Sequence, residues 1–311
     1  MPDRADRLGS SAAGCAIIEQ DIMAPPTPSF DIPSAPPVII IGMHRSGTSF
    51  LAKVLHQCGL FMGTDVQGNH ESMVFMLINN GILINCNATW NRPFAAYLAL
   101  QNPAMVDSLA QYAYTSLETA AENYLGSSSQ HGIRRLADLD RPWGWKDPRN
   151  TFTLPVWRRI FPEIRVIHIL RHGVDVANSI YQRDTLPYLN RTNGPHFPAI
   201  NVVRGKSGLF HARPPLSLEQ AFMLWEEYVE MATVRVKELG DNAIQIKYED
   251  FLEAPRESLK SILAFCRLDD TEIPTDLEHR VDISRAYSYR QDEELQAFAE
   301  HWNDILSRFL Y

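Results

Sequence analysis

The hydrophobic positions of this chain fall into short apolar runs that alternate with longer segments of helical periodicity. Residues 38–41 are all β-branched and apolar, and 164–170 and 243–246 are two further, mainly apolar runs. Runs of this kind are typical of strands that are buried on both faces, as in a parallel sheet. Because an amphipathic segment follows each run, the pattern predicts an α/β fold in three layers, with a central, mostly parallel sheet flanked by helices.

The helical periodicity is clearest after the first run, where Leu51, Val54, Leu55 and Cys58 recur at the spacing of one buried helix face. The other predicted helices lie within 72–125 and at 174–183, 217–239 and 256–266.

Two segments lack this periodicity. Residues 1–35 are rich in Ala, Ser and Pro and are predicted to be a disordered leader before a single domain at 36–311. Residues 184–216 contain several prolines and glycines among aromatic and basic residues. A long loop of this kind predicts a lid or substrate loop, with a disordered insertion as the equally weighted alternative.

Composition limits the classes of function. The chain has 311 residues and a net charge of -8, which disfavours a general nucleic-acid binder but permits a small basic pocket for an anion. Its four cysteines are widely spaced without a CxxC pair, so neither a disulfide framework nor a zinc site is predicted. No apolar run is long enough to span a membrane. These features predict a cytoplasmic protein without a membrane span.

A glycine-containing loop at 42–49 joins the first predicted strand to the first predicted helix. Its glycines are spaced as in the nucleotide-binding P-loop, whose backbone N–H groups and helix N-terminus bind phosphate. Thr48 stands where that loop has its lysine, and the cation is Arg45 instead. No predicted strand ends in an aspartate suited to holding Mg²⁺, so the loop fits an anion smaller than a metal-bound triphosphate.

The run from Gly42 to Leu51 resembles the 5′-phosphosulfate loop of the sulfotransferases that use 3′-phosphoadenosine-5′-phosphosulfate (PAPS). The resemblance implies a sulfotransferase of the bacterial type with a P-loop-type fold. It assigns five residues of the loop to the 5′-phosphate and sulfate: Arg45, Ser46, Gly47, Thr48 and Ser49. Phe50 would lie beside the adenine.

A second signature of that family pairs an arginine at a strand end with a serine eight residues later, and together they hold the 3′-phosphate. Arg171 and Ser179 have this spacing, although each residue taken alone could be an ordinary surface or helical residue. Tyr248, in a Tyr-Glu-Asp run that resembles another family segment, is implied near the adenine. The family's C-terminal basic loop is not recognisable, and Arg285 and Arg290 are the candidates for its role.

The resemblance also raises the question of the general base. Aligning Lys146 with the lysine of the family's K-x-H-x-P strand places Pro148 where the small-molecule enzymes have a catalytic histidine. Glu71 is therefore the candidate base and His70 its rival, since both are chemically competent near neutral pH. The alternative is that Glu71 serves only to begin the next helix. Arg45, with Lys146 second, is predicted to neutralise charge on the leaving phosphate.

The sequence thus predicts a sulfotransferase that uses PAPS as co-substrate, requires no metal and acts on an unidentified small molecule, carbohydrate or protein side chain. A P-loop kinase or NTPase and a non-catalytic nucleotide-binding protein are the alternatives. Four aromatic residues are candidates for either an acceptor pocket or the core: Trp90, Phe94, Tyr188 and Phe197.

Overall fold

The computed structural model describes residues 29–126, 133–186 and 216–311. Its strands are β1 (Val38–Gly42), β2 (Gly144–Lys146), β3 (Arg165–Leu170) and β4 (Ala243–Lys247). The helices before β4 are α1 (Thr48–Gln57), α2 (Met73–Asn85), α3 (Phe94–Ala99), α4 (Pro103–Leu125), α5 (Asn150–Ile160), α6 (Gly173–Ile180) and α7 (Leu218–Leu239). Those after β4 are α8 (Tyr248–Glu253), α9 (Pro255–Cys266), α10 (Leu277–Arg280), α11 (Glu293–His301) and α12 (Asn303–Arg308).

The four strands form one parallel sheet in the order β2-β1-β3-β4. The three predicted apolar runs are β1, β3 and β4, so the predicted parallel sheet is confirmed. The apolar pattern did not reveal β2, which has only three residues. Its Gly144 lies so close to β1 that a Cβ there would be 1.9 Å from the carbonyl oxygen of Val38, and only glycine permits this approach.

Alternate residues of the strands enter two separate hydrophobic clusters, one on each face of the sheet. Ile39, Ile41 and Val166 pack with the helices α2, α4, α5, α6 and α7. Val38 and Ile40 pack on the opposite face with α1, α8 and α9. The predicted three-layer architecture is therefore confirmed, and burial of each of these branched side chains contributes about 1.5–3 kcal/mol to folding.

The strand order fixes where a ligand can bind. The chain leaves β1 towards β2 on one side and leaves β3 towards β4 on the other, although β1 and β3 are neighbours. Ligands of open α/β sheets bind in the crevice at the carboxyl ends of two such strands. Gly42 ends β1 opposite Ile169 of β3, and the two predicted phosphate-binding segments begin directly after these strands.

The first described residues and the end of α6 differ from what the sequence predicts. Phe30 and Asp31, in the predicted leader, contact α4: the ring of Phe30 lies 4.8 Å from that of Tyr114, and the Asp31 N–H donates to the Tyr114 hydroxyl at 3.2 Å. α6 ends at Ile180 and continues as a π-helical turn, Tyr181–Thr185, where one longer α-helix was expected. Residues 1–28 and 187–215, with Tyr188 and Phe197, lie outside the described residues. Within the described ranges, no helix is long and apolar enough to cross a membrane.

Candidate functional site

The loop between β1 and α1 has the backbone conformation of an anion-binding turn. Gly42 and Gly47 have φ values of 133° and 90°, and Arg45 has a φ of 74° although it is not glycine. The Ser46 N–H closes the turn by donating to the Met43 carbonyl at 3.2 Å. α1 begins directly afterwards, so its first free N–H groups and its positive dipole end lie at the loop.

Two buried polar atoms at this loop have no protein partner. The Ser46 hydroxyl oxygen and the Nε of Arg171 are both inaccessible to solvent and make no hydrogen bond to any described residue. A buried polar group without a partner costs about 1–3 kcal/mol, so such groups generally indicate a missing ligand or water. A hydroxyl and a guanidinium beside a helix N-terminus fit an anionic ligand.

The two predicted phosphate-binding segments meet at this loop. Arg45 donates from Nε to the hydroxyl of Ser179 at 2.9 Å. Arg171 donates from Nη1 to the carbonyl of Arg45 at 3.0 Å. Ser179 lies in the last turn of α6, away from the helix N-terminus. It still reaches the loop, and Arg45, Arg171 and Ser179, which are predicted to bind opposite ends of one nucleotide, form one cluster.

Tyr248 covers one side of the loop. Its ring lies against Gly47, where a Cβ would be 2.4 Å from two ring carbons. The guanidinium of Arg171 lies over the same ring at 4.9 Å from its centroid. Phe50, expected near the adenine, packs edge-on against Phe251 with ring centroids 5.9 Å apart. The aromatic residues predicted for the nucleotide base are thus on the α8 side of the loop.

Positive charge accumulates at the loop. Partial burial lowers the pKa of Arg45, and the neighbouring charges of Arg183, Arg171 and Arg285 lower it further, although Asp184 opposes them. Because these guanidinium groups destabilise one another, a bound anion would relieve their repulsion. The overall negative charge of the chain therefore coexists with a locally basic site, as the sequence analysis allowed.

The C-terminal region contributes to the same cluster. Arg171 donates from Nη2 to the carbonyl of Arg285 at 3.0 Å. Asp175 of α6 anchors the following residues, because it accepts bonds from the N–H groups of Ser288 and Tyr289 and from the Ser288 hydroxyl at 2.8–3.1 Å. Arg285, a candidate for the role of the family's C-terminal basic loop, therefore lies beside Arg171, although its segment has no recognisable motif.

Arg290, the other C-terminal candidate, stacks over the ring of Tyr287 at 4.2 Å. Burial lowers the pKa of His172, and the charge of Arg290 lowers it further; the His172 ring is stacked on that of Tyr289 with centroids 4.3 Å apart.

A second cluster, around Glu71, lies at the carboxyl end of β2. Lys146 donates from Nζ to Glu71 Oε1 at 2.8 Å, and Arg149 Nη1 lies 3.5 Å from Glu71 Oε2. Burial raises the pKa of Glu71, but the two cations outweigh this and hold the pKa below its usual range. The carboxylate is thus ionised and paired, whereas burial lowers the pKa of Lys146 against the opposing effect of Glu71.

His70 has a left-handed backbone, with a φ of 54°. Partial burial lowers its pKa, and the charges of Lys53, His56 and Lys146 lower it further. His70 is therefore neutral near pH 7, the state in which it could accept a proton.

The Glu71 cluster continues into a buried polar network that sequence reasoning missed. The Asp147 carboxylate accepts from Arg149 Nη1 at 2.9 Å and from Asn79 Nδ2 at 2.8 Å. Asn79 Nδ2 also donates to Asn150 Oδ1, and Asn79 Oδ1 accepts from the Thr153 hydroxyl. The signal in the sequence was the polar run 146–150 after Trp145, in an otherwise apolar context.

Trp90 and Phe94 have different environments. Trp90 is 3% exposed and meets the His44 ring of the loop edge-on at 4.8 Å. Its carbonyl accepts from the Tyr228 hydroxyl at 2.7 Å. Phe94 is 55% exposed. Trp90 therefore borders the candidate site, whereas Phe94 faces solvent. In the described ranges, no three His, Cys, Asp or Glu residues are grouped closely enough to hold a metal ion.

Comparison with known proteins identifies the family. A family profile described as the sulfotransferase family matches residues 36–272. In structure, the chain is similar to the sulfotransferase domain of the Synechococcus PCC 7002 olefin synthase, with 17% identity over 92% of this chain and 98% of that one and a TM-score of 0.49.

Sulfotransferase STF9 from Mycobacterium avium is 13% identical over 88% of this chain and 78% of that one, with a TM-score of 0.48. A sulfotransferase from Alicyclobacillus acidocaldarius is 15% identical over 89% of this chain and 96% of that one, with a TM-score of 0.46. No curated protein matches the chain. Because the family profile spans well over half of the sequence, including both predicted phosphate-binding segments, the chain belongs to the sulfotransferase family.

Proposed function

We propose that this protein transfers a sulfuryl group from PAPS to a hydroxyl or amine acceptor and releases adenosine 3′,5′-bisphosphate. The observation that carries the proposal is the contact of Arg171 and Ser179 with Arg45 of the phosphate loop. A nucleotide with phosphate at both the 3′ and the 5′ position would engage all three residues at once. ATP and GTP have no 3′-phosphate for Arg171 and Ser179.

The proposed donor site uses the polar atoms that have no protein partner. The Ser46 hydroxyl, the N–H groups at the start of α1 and the hydroxyls of Thr48 and Ser49 would hold the 5′-phosphate and sulfate. Arg171, through its buried Nε, and Ser179 would hold the 3′-phosphate. Tyr248 and Phe50 would flank the adenine.

The proposed reaction is an in-line displacement at sulfur. The acceptor oxygen or nitrogen forms a bond to sulfur while the bond from sulfur to the bridging phosphate oxygen breaks, and the electron pair of that bond stays on the phosphate. Arg45 would stabilise this developing negative charge, and Lys146 would add a second cation. The acceptor's proton passes to a base. Glu71 is the proposed base because it is ionised, and neutral His70 is the rival.

The widely spaced cysteines support a reducing compartment, and we place the protein in the cytoplasm on that basis. Cys58, Cys86 and Cys266 are buried as free thiols.

Calorimetric titration tests the donor assignment. We expect the protein to bind adenosine 3′,5′-bisphosphate in preference to AMP and to ATP with Mg²⁺. The Arg171→Ala variant should lose about 10- to 100-fold in affinity for the bisphosphate, because a charge-assisted phosphate contact is removed. Arg158→Ala is the matched control, since Arg158 lies on α5 and its nearest carboxylate, that of Glu238, is 3.6 Å away. A preference for ATP with Mg²⁺ would instead identify a kinase or NTPase.

A further inference from the structure

Arg183 is a cation near the phosphate loop that neither sequence motif includes. It lies in the π-helical turn Tyr181–Thr185, one turn beyond Ser179 on the continuation of α6. Residues spaced by four on a helix lie on the same face, so Arg183 projects on the side where Ser179 contacts Arg45. Single π-helical turns are rare and occur frequently at functional sites.

Arg183 lies near Trp90, a residue that contacts the loop between β1 and α1. Its guanidinium lies 5.9 Å from the centroid of the Trp90 ring, and Trp90 contacts His44 of the loop. Arg171 lies over the ring of Tyr248, which packs against Gly47, a different residue of the loop. Arg45 contacts both segments, because its side chain donates to Ser179, four residues before Arg183, and its carbonyl accepts from Arg171.

Part of the Arg183 guanidinium is available to a ligand. Nε and Nη2 donate to the two carboxylate oxygens of Asp184 at 2.7 and 2.6 Å. An arginine has five N–H donors in a planar fork, so the Nη1 side remains for a second anion. The side chain is 33% exposed. Burial lowers the pKa of Arg45 most, and of the neighbouring charges that lower it further, that of Arg183 has the largest effect.

We propose that Arg183 binds the sulfuryl oxygens of the donor, beside Trp90, while Arg171 holds the 3′-phosphate beside Tyr248. The inference rests on the proposed donor. The donor's two anionic ends lie on opposite sides of the 5′-phosphate, and Arg183 and Arg171 lie beside two different aromatic rings, Trp90 and Tyr248, that contact the loop. In the transfer step, Arg183 forms no covalent bond and moves no proton. It stabilises negative charge on the sulfuryl oxygens while the bond to the phosphate oxygen breaks and the bond to the acceptor forms.

The test compares two ligands that differ only in the sulfuryl group. Affinities for PAPS and for adenosine 3′,5′-bisphosphate are measured by calorimetry for the unaltered protein and for Arg183→Ala, Arg183→Lys and Gln182→Ala. We expect Arg183→Ala to weaken PAPS binding about 10- to 100-fold and bisphosphate binding less than about 2-fold. Arg183→Lys should have a smaller effect on PAPS, because it keeps the charge and loses the fork. Gln182→Ala, on the same turn, should change neither affinity.

An equal loss of affinity for both ligands in Arg183→Ala, or no change in either affinity, would overturn the role of Arg183. If Arg183→Ala does not fold, Arg183→Lys decides by the same comparison. Failure of the unaltered protein to bind either ligand would instead reject PAPS as the donor, so the two proposals fail by different results.

Discussion

Lys146 and Glu71 form an ion pair of 2.8 Å in which the side chains are only 1% and 4% exposed. The residues are 75 positions apart, and each is held by a different part of the fold: Lys146 ends β2, and Glu71 precedes the N-cap of α2. Arg149 completes the neutralisation of Glu71 at 3.5 Å. The candidate base is therefore part of a buried charge network, and its pairing has consequences for both stability and catalysis.

Removing one member of this pair should be strongly destabilising. Lys146→Met keeps most of the side-chain volume and leaves Glu71 with Arg149 alone, so we expect the free energy of unfolding to fall by about 3–5 kcal/mol. Urea denaturation measures this change. Arg256→Met is the control, because Arg256 pairs with Glu278 at 2.7 Å with both side chains in contact with solvent, and loss of such an exposed ion pair should cost much less than loss of the buried one. Equal costs for the two variants would contradict the prediction.

The catalytic role of Glu71 has a separate test. Glu71→Gln keeps the shape and removes the charge, so we expect turnover of PAPS to fall about 10²- to 10⁴-fold, the usual contribution of a general base. The affinity for adenosine 3′,5′-bisphosphate should be unchanged, because the residues proposed to bind it lie at the loop between β1 and α1 and not in the Glu71 cluster. His70→Gln is the matched variant. A large loss of turnover in His70→Gln together with near-normal turnover in Glu71→Gln would reverse the assignment.

The sequence could predict the parts of this fold that depend on local patterns. β1, β3 and β4 are long enough for their apolar runs to stand out, and the loop after β1 has glycine at two of its three positive-φ positions, Gly42 and Gly47. β2 could not be found in this way, because a three-residue strand has no periodicity. Its existence depends on pairing with β1, which is a tertiary interaction.

The candidate site was only partly predictable for the same reason. The motifs named Arg45 and Ser179, but their contact joins residues 134 positions apart and depends on β1 and β3 being neighbours. The pairing of Glu71 with Lys146 and Arg149 had no sequence signal, since an isolated glutamate before a helix is compatible with a capping role. The role of such a residue is determined by what the fold places opposite it.

Two buried histidines should make stability depend on pH. Burial lowers the pKa of His168 to about 4, against the hydrogen bond to Gln245. Burial lowers the pKa of His172 to about 3, with neighbouring cations contributing in the same direction. The unfolded chain takes up protons at both residues below about pH 6.5, and the folded chain does not. Stability therefore falls as the pH decreases from about 6.5 towards 4, by up to about 1.4 kcal/mol per pH unit for each residue.

Urea denaturation at pH 7 and pH 5 measures this effect. His168→Gln should lose less stability than the unaltered protein over this interval, by roughly 2 kcal/mol. His279→Gln, at an exposed position, should retain the full dependence. An identical pH dependence in His168→Gln and the unaltered protein would show that His168 does not carry the effect.

Comparison of Gly47 with Gly59 separates the steric effect of a side chain at the loop between β1 and α1 from the backbone strain of a positive φ. Both have positive φ values, 90° and 96°, but a Cβ on Gly47 would meet the Tyr248 ring at 2.4 Å, and one on Gly59 has no heavy atom within 4 Å. Gly59→Ala should therefore cost about 1–2 kcal/mol of stability and leave binding of adenosine 3′,5′-bisphosphate unchanged. Gly47→Ala should cost at least as much and also weaken binding about tenfold or more, because Tyr248 must move from the loop. Thermal denaturation and calorimetry on both variants measure the two effects. Unchanged bisphosphate affinity in Gly47→Ala would mean that the position of Tyr248 against the loop does not matter for the nucleotide.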